Sequence, residues 1–420
     1  MPFTSFSAAL SALSANTTAI DVVGNNLANL STTGFKASTV SFQDLVTESL
    51  GAGLGETQVG FGVGTPLTTR QFTQGALQST GGVDDAAIQG GGFFILSDPT
   101  GAQLFTRAGN FNVDANGNLL SASGASVQGW TSVNGVLDTN GPITDIKVPI
   151  GTLQPPIAST QFSASMNLNA AATVGSTNAT FSTPITVFDS LGTSHVLTAS
   201  FTETAGGAWN YSVSIPGQDL TSGTAGTPTV LTTGTVNFDQ NGNLITPPAS
   251  AGPITVAATG LTDGAADLNL NWNLYDANQQ PLITQFAQNS AVSSVSQNGQ
   301  AAAQLVNVGI ATDGQILANY SNGQQSVVGQ LAVASIVNPS SLLAVGNNNY
   351  EASSITAQPA IGVPDTGGRG EVLGGQLESS TVDIATEFTN LIVYQRGYEA
   401  NAKVVNTADQ LSQDTINLIR

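Results

Sequence analysis

Apolar residues recur along this chain at two periods, and the change of period divides it. Phe6, Leu13, Ile20 and Leu27 stand seven apart, with Leu10, Val23 and Leu30 in the adjacent row. A 3.5-residue repeat predicts a helix over the first thirty residues, with a narrow seam turned toward another helix. The far end repeats the arrangement. Ile384, Leu391, Tyr398 and Val405 are again seven apart, and Phe388, Ala402, Leu411, Ile416 and Ile419 extend the row. Ser380-Thr381-Val382-Asp383 reads as a capping box opening this second helix, and Arg420 suits its negative end. At the rise of an α-helix the two ends span about 40 and 55 Å.

Between the ends the period falls to two. Ile185 and Val187 precede the turn Asp189-Ser190-Leu191-Gly192, after which Leu197, Ala199 and Phe201 alternate with Thr198, Ser200 and Thr202. Trp209, Tyr211, Val213 and Ile215 alternate with polar residues, as do Leu268, Leu270, Trp272 and Leu274. Such runs predict antiparallel sandwiches or barrels with one wet face. Gly51, Gly53, Gly55, Gly60, Gly62 and Gly64 lie close together and predict a linker or extended arm, flexible where glycine clusters. Pro- and Gly-marked stretches at 141–151 and 276–281 bound a middle domain.

Composition narrows the chemistry. Only 8% of the 420 residues are charged, against a usual figure of about 25%. Lys plus Arg number 8 and Asp plus Glu 27, for a net charge of −19. Eight scattered cations cannot neutralise many phosphates, so nucleic acid is excluded as a partner. Cysteine is absent and His195 is the one histidine, which removes disulfides, thiol catalysis and ordinary zinc sites. No run of about 18 apolar residues is present, so no helical membrane insertion is expected. Met1-Pro2-Phe3-Thr4 lacks the basic run of a cleavable secretory signal. From Met1 to Phe35 the sole charged residue is Asp21. A solvated helix normally carries charge on its outer face, so this face is expected to be covered by protein. Gly24, Gly397, Asn25, Asn26 and Asn29 further weaken the helices, which are expected to become ordered through packing.

The motifs that suggest chemistry have simpler readings. Asp114-Ala115-Asn116-Gly117-Asn118 and Asp239-Gln240-Asn241-Gly242-Asn243 begin like calcium loops. Their sixth positions are Leu119 and Leu244 and their twelfth Ala125 and Ser250, where an EF-hand needs Gly and Glu. Both read as hairpin turns. His195 lies near Asp189 and Ser190, but it falls on the same strand face as Leu197 and Phe201 and reads as a packing residue. No lysine follows a glycine, and the Gly clusters lack dinucleotide-binding spacing. Asp84 and Asp85 are adjacent and would point oppositely on a strand. The expectation is a protein with no catalytic, metal or cofactor site.

The stretch Gly24-Asn25-Asn26-Leu27-Ala28-Asn29-Leu30-Ser31-Thr32-Thr33-Gly34-Phe35-Lys36 resembles the amino-terminal signature of the bacterial flagellar rod and hook family. Its counterpart is Leu377-Glu378-Ser379-Ser380-Thr381-Val382-Asp383, followed by Glu387-Phe388-Thr389-Asn390-Leu391-Ile392 and the run from Gln395 to Ala402. Phe72-Thr73-Gln74-Gly75, Ile88 to Phe94 and Phe105-Thr106-Arg107-Ala108-Gly109 are similar to the family's first β domain. Phe188 to Gly192, Ala291 to Gly299 and Tyr320 to Gly323 are similar to its hook branch.

The resemblance implies a mainly β structural protein with α-helical termini and two antiparallel β domains inserted in series. Residues 1–30 and 380–420 would pair as a coiled coil in the inner layer of a tube, with 31–70 and 356–379 as the arm. Residues 71–145 and 285–355 would form the first β domain and 146–284 an outer one. It also implies export through the flagellar type III apparatus without cleavage, and polymerisation outside the cell into a curved tube that acts as a universal joint. Rod, hook-cap and hook–filament junction proteins would be its neighbours. Phe6, Leu10, Leu13, Ile20, Leu27 and Leu30, with Ile384, Phe388, Leu391, Tyr398, Val405, Leu411 and Ile416, are the expected assembly residues. Asn25, Asn26, Asn29, Gly34, Phe35 and Lys36 carry the signature. A distal-rod or junction component is a second reading, disfavoured by the 146–284 domain. An extracellular β-rich adhesin is a third, and it leaves the paired terminal heptads unexplained.

Overall fold

Alternation along the strands sets the core of the middle segment. Thr180–Phe188, Ser194–Thr204, Ala208–Pro216, Pro228–Phe238 and Leu244–Thr246 follow one another as an antiparallel meander. They bury Ile185, Val187, Leu197, Ala199, Phe201, Trp209, Val213 and Ile215 and turn Thr, Ser and Asn outward. A second sheet is organised on Gln161–Asn169. Leu268–Asn273 and Ile283–Phe286 run parallel to that strand, and Ala291–Gln297 runs antiparallel to it. The parallel pairs depart from the all-antiparallel expectation. More than ninety residues separate Gln161–Asn169 from its parallel partners, and a connection of that length brings a strand back in either direction. Both sheets contribute to one core, in which Trp272 stacks on Phe162 at 5.9 Å and meets Tyr211 edge-on at 5.2 Å.

The structure is a computed structural model and describes residues 2–45, 47–49, 58–133, 136–151, 153–204 and 207–418. It holds two compact units. One comprises Met1–Ile150, Asn307–Asn319 and Gln325–Arg420, the other Gly151–Val306 and Tyr320–Gln324. The return to the first unit therefore falls near 307, later than the 285 read from sequence, because Ala291–Gln297 still pairs along Gln161–Asn169.

In the first unit, Phe93–Ser97 is flanked by Gln103–Thr106, Ser126–Val133 and Val333–Ser335. Phe93, Ile95, Phe105, Trp130 and Tyr350 are buried together, with Phe72 packed edge-on against Tyr350 at 5.3 Å and Phe93 at 5.6 Å. The Asp-Asn-Gly segments are turns: Asp114 Oδ1 accepts the amides of Asn116 and Asn118, and Asp239 Oδ1 those of Asn241 and Asn243. Two long helices, α1 (Pro2–Ala28) and α2 (Ile384–Leu418), pack on each other in this same unit.

The described part of the arm is an extended, paired segment. Ser38–Ser41 pairs with Leu67–Arg70, and Thr47–Ser49 with Gln58–Gly60. Leu45 N–H donates to Gly62 O and Gly64 N–H to Gln43 O, so Gly60, Gly62 and Gly64 lie in a paired ribbon. Gly62 is needed for contact. Its φ is +106°, and a Cβ there would come within 2.8 Å of the Ala8 Cα on α1. Gly51, Gly53 and Gly55 lie outside the described residues. On the returning strand, Glu371–Gly374 pairs with Ala86–Gln89 and Gln376–Glu378 with Leu77–Ser79.

Candidate assembly interface

The α1–α2 seam is lined by small residues. Ala9, Ala15, Ala19, Val23 and Asn26 are the buried positions of α1 among its described side chains. On α2, Glu387 is buried, and Leu391, Tyr394, Gly397 and Val405 are half-buried. Gly397 faces α1, since a Cβ there would lie 3.0 Å from Asn16 Oδ1. Val23, Leu391 and Val405 of the rows read from sequence lie in this seam, and the other large apolar residues of those rows lie on its flanks. Phe6, Leu10, Ile384, Phe388, Tyr398, Leu411 and Ile416 are exposed, and Leu13, Ile20, Leu27 and Leu30 are half-buried. Both rows of α1 share a 3.5-residue period. Periodicity fixes the repeat but not which row turns inward, and alanines win the inner position because they let the backbones approach.

The helix ends are set by short polar side chains. Asn29 Nδ2 donates to Asn25 O, Asn29 Oδ1 accepts from Thr32 Oγ1, and α1 stops there. Asn25 itself is exposed. At the start of α2, Asp383 Oδ1 accepts the Thr386 amide at 2.7 Å, so Asp383 is the cap and the Ser380 box is not. That bond holds the Asp383 carboxyl below its usual range. Ser380 Oγ instead accepts the Val382 amide at 3.3 Å. Glu399 accepts from Arg396 at 3.2 Å on the exposed face.

Asn26 joins three segments. Its Nδ2 donates to Ser38 O at 2.8 Å and to Glu387 Oε1 at 2.9 Å, and its Oδ1 accepts the Ser38 amide at 3.0 Å. Burial pushes Glu387 above the usual carboxylate range, and the hydrogen bond from Asn26 offsets only part of this.

Eight residues further on, Gly34 adopts φ +69° and donates its N–H to Glu378 O at 2.8 Å. A Cβ there would strike Ala108 N at 2.7 Å, so the backbone passes where only glycine fits. Phe35 is buried with Ala37 and Val382. Lys36 follows, wholly buried, its Nζ donating at 2.6 Å to both Glu378 Oε1 and Thr73 O. Glu378 Oε1 also accepts the Gly75 amide at 2.7 Å, and Glu378 Oε2 accepts from Arg107 Nη1 at 3.2 Å. Arg107 Nη2 donates to Gly90 O at 2.7 Å, and its guanidinium lies 5.4 Å from the Phe93 ring. Desolvation lowers the proton affinity of Lys36 and Arg107, with Glu378 opposing it in both. One carboxylate thus ties the chain leaving α1 to the chain entering α2 and to the first β body.

Sequence reasoning quoted Glu378 and Arg107 but gave them no role. The available signal was rarity, since a chain with only eight cations that sets one directly after Phe35 and another two residues after Phe105 invites the question of their partner. The inner alanine row of α1 was also missed.

A pair of terminal helices stapled by a buried charge cluster to a β body is the layout of an axial subunit, and family profiles match both ends and much of the strand-rich middle. Residues 6–36 match the flagella basal body rod protein family, 87–164 the flagellar hook protein FlgE/F/G D1 domain, 164–300 the flagellar basal body protein FlaE D2 domain, and 373–418 the flagellar basal body rod FlgEFG protein C-terminal region. Flagellar hook protein FlgE of Salmonella typhimurium is 33% identical, with 99% of this chain and 100% of that one aligned. Those of Treponema pallidum and Borreliella burgdorferi are each 33% identical, over 96% and 97% of this chain and 96% and 98% of theirs. The chain belongs to the flagellar hook protein FlgE family. The crystal structure of Helicobacter pylori flagellar hook protein FlgE2 shares its fold, at a TM-score of 0.52 and 14% identity over 70% of this chain and 99% of that one. Among the described residues, no helix is long and apolar enough to cross a membrane.

Proposed function

We propose that the chain is the structural subunit of the flagellar hook, polymerising into a flexible curved tube that carries torque from rod to filament. The observation that carries this reading is the full-length likeness to hook proteins joined to two exposed apolar helix rows on a chain of so little charge. Phe6, Leu10, Phe388, Tyr398, Leu411 and Ile416 are the residues assigned to contact between subunits. Helical assembly requires heterologous contacts that do not close into a ring, and two long unlike faces provide them. The strands' outward Asn, Ser and Thr rows suit contacts that slide, since sliding favours surfaces without deep aromatic anchors. No chemical step is assigned to the protein. Its location is the flagellum outside the cell, reached through the type III apparatus, with rod, hook-cap and junction proteins as its neighbours. Electron microscopy of cells lacking the gene tests the assignment: basal bodies ending at the rod are expected. Normal hooks in such cells refute it.

A further inference from the structure

His195 stands on Ser194–Thr204, only 4% exposed, and three carboxylates from three separate turns surround its ring. Nε2 lies 3.1 Å from Asp189 Oδ2 and 3.8 Å from Asp263 Oδ2, and Nδ1 lies 3.1 Å from Asp219 Oδ2. The other oxygens of two carboxylates are already engaged. Asp189 Oδ1 accepts the amides of Leu191 and Thr193, and Asp263 Oδ1 accepts that of Ala265. Their Oδ2 atoms are thereby held toward Nε2. A strand-packing histidine needs none of this, and even an imidazolium donating one N–H each to Asp189 and Asp219 sets a single positive charge against three carboxylates, one of them fully buried.

A divalent ion satisfies the arrangement. Zinc binds nitrogen and oxygen at about 2.0–2.2 Å, which in a tetrahedron sets adjacent ligand atoms about 3.4 Å apart. The separations of 3.1 and 3.8 Å bracket that value, and the donor atoms of Asp189, His195 and Asp263 all lie within 4.8 Å of one another. Asp219 completes the pattern. By accepting Nδ1–H it fixes the tautomer whose Nε2 lone pair faces the two carboxylates, the usual outer partner of a metal-bound histidine. We propose that His195 Nε2, Asp189 Oδ2 and Asp263 Oδ2 bind one zinc ion, with water in the fourth position and Asp219 orienting the ring. Calcium fits poorly, since it requires six to eight oxygens and avoids imidazole. Asp263 is partly exposed, which gives the ion and its water a route in. The absence of cysteine argued against zinc in the sequence, but carboxylates from distant turns supply the missing donors.

The test uses the full chain, stripped with chelator and titrated with zinc alone by calorimetry. One saturable equivalent is expected above weak binding by the many surface carboxylates. Asp263→Asn is expected to weaken that equivalent at least tenfold while leaving the circular dichroism unchanged, and Asp219→Asn to weaken it about 10–100-fold. Nitrogen-15 NMR of wild-type protein reads the site without any variant: zinc should leave Nδ1 protonated and Nε2 without a proton. A His195 ring that keeps both protons at saturating zinc overturns the proposal, as does wild-type affinity in Asp263→Asn.

Discussion

Glu378 gathers the junction of helices and β body, accepting from Lys36, Arg107 and the Gly75 amide. Two cations share one anion, so the members are not equivalent. Glu378→Gln leaves two buried cations without a counter-charge and is expected to cost about 3–5 kcal/mol. Lys36→Met leaves the Arg107–Glu378 pair intact and is expected to cost much less. Urea denaturation of the full chain compares them, and equal losses would contradict the charge argument. This cluster shows where sequence stops being informative. Gly34 and Lys36 were legible through family resemblance alone. Their physical roles depend on a carboxylate 342 residues away and on a backbone crossing at Ala108, and neither leaves a local pattern. His195 is similar: its strand face was readable from alternation, its three acidic neighbours were not.

At the level of elements, period was legible and phase was not. The strands of the second unit bury the residues that alternation selected, because a two-residue period with one apolar face has a single answer. The helices offered rows of equal period, so all the larger side chains were assigned inward, although only Val23, Leu391 and Val405 of them join the alanines in the seam. The two rows make separable predictions. Gly397→Val on the inner row should lower the unfolding midpoint of the monomer, because its branched side chain meets Asn16. Phe388→Ser on the outer row should leave that midpoint unchanged and abolish polymer, as judged by sedimentation. Glu387 adds a pH dependence. Burial raises its proton affinity in the folded state, so folding takes up protons there. Its contribution is complete below the ordinary carboxylate range and is lost as pH rises through the folded value. Glu387→Gln, which keeps an acceptor for Asn26, should therefore raise stability at neutral pH and leave it unchanged in acid. Parallel denaturation curves offset equally at both pH values would count against this.

Over the whole molecule, the fold separates what must hold from what assembly must add. The core of the second unit is drawn from residues 162–283 and contains nothing from either helix. The helices instead present exposed apolar rows on a chain whose charge is too sparse to solvate them. A self-sufficient globule would turn those rows inward, so their exposure is best explained by copies of the same chain. Removing residues 1–30 takes away one row, the alanine seam and the Asn26 bridge to Ser38 and Glu387. The second unit loses no core contact. Truncation is thus expected to give a soluble protein that retains the near-ultraviolet signal of packed Trp209 and Trp272 and shows no assembly under conditions where the full chain forms tubes. Tubes from the truncated chain would show that the β bodies alone drive polymerisation, and loss of the tryptophan signal would show that the second unit depends on the helices after all.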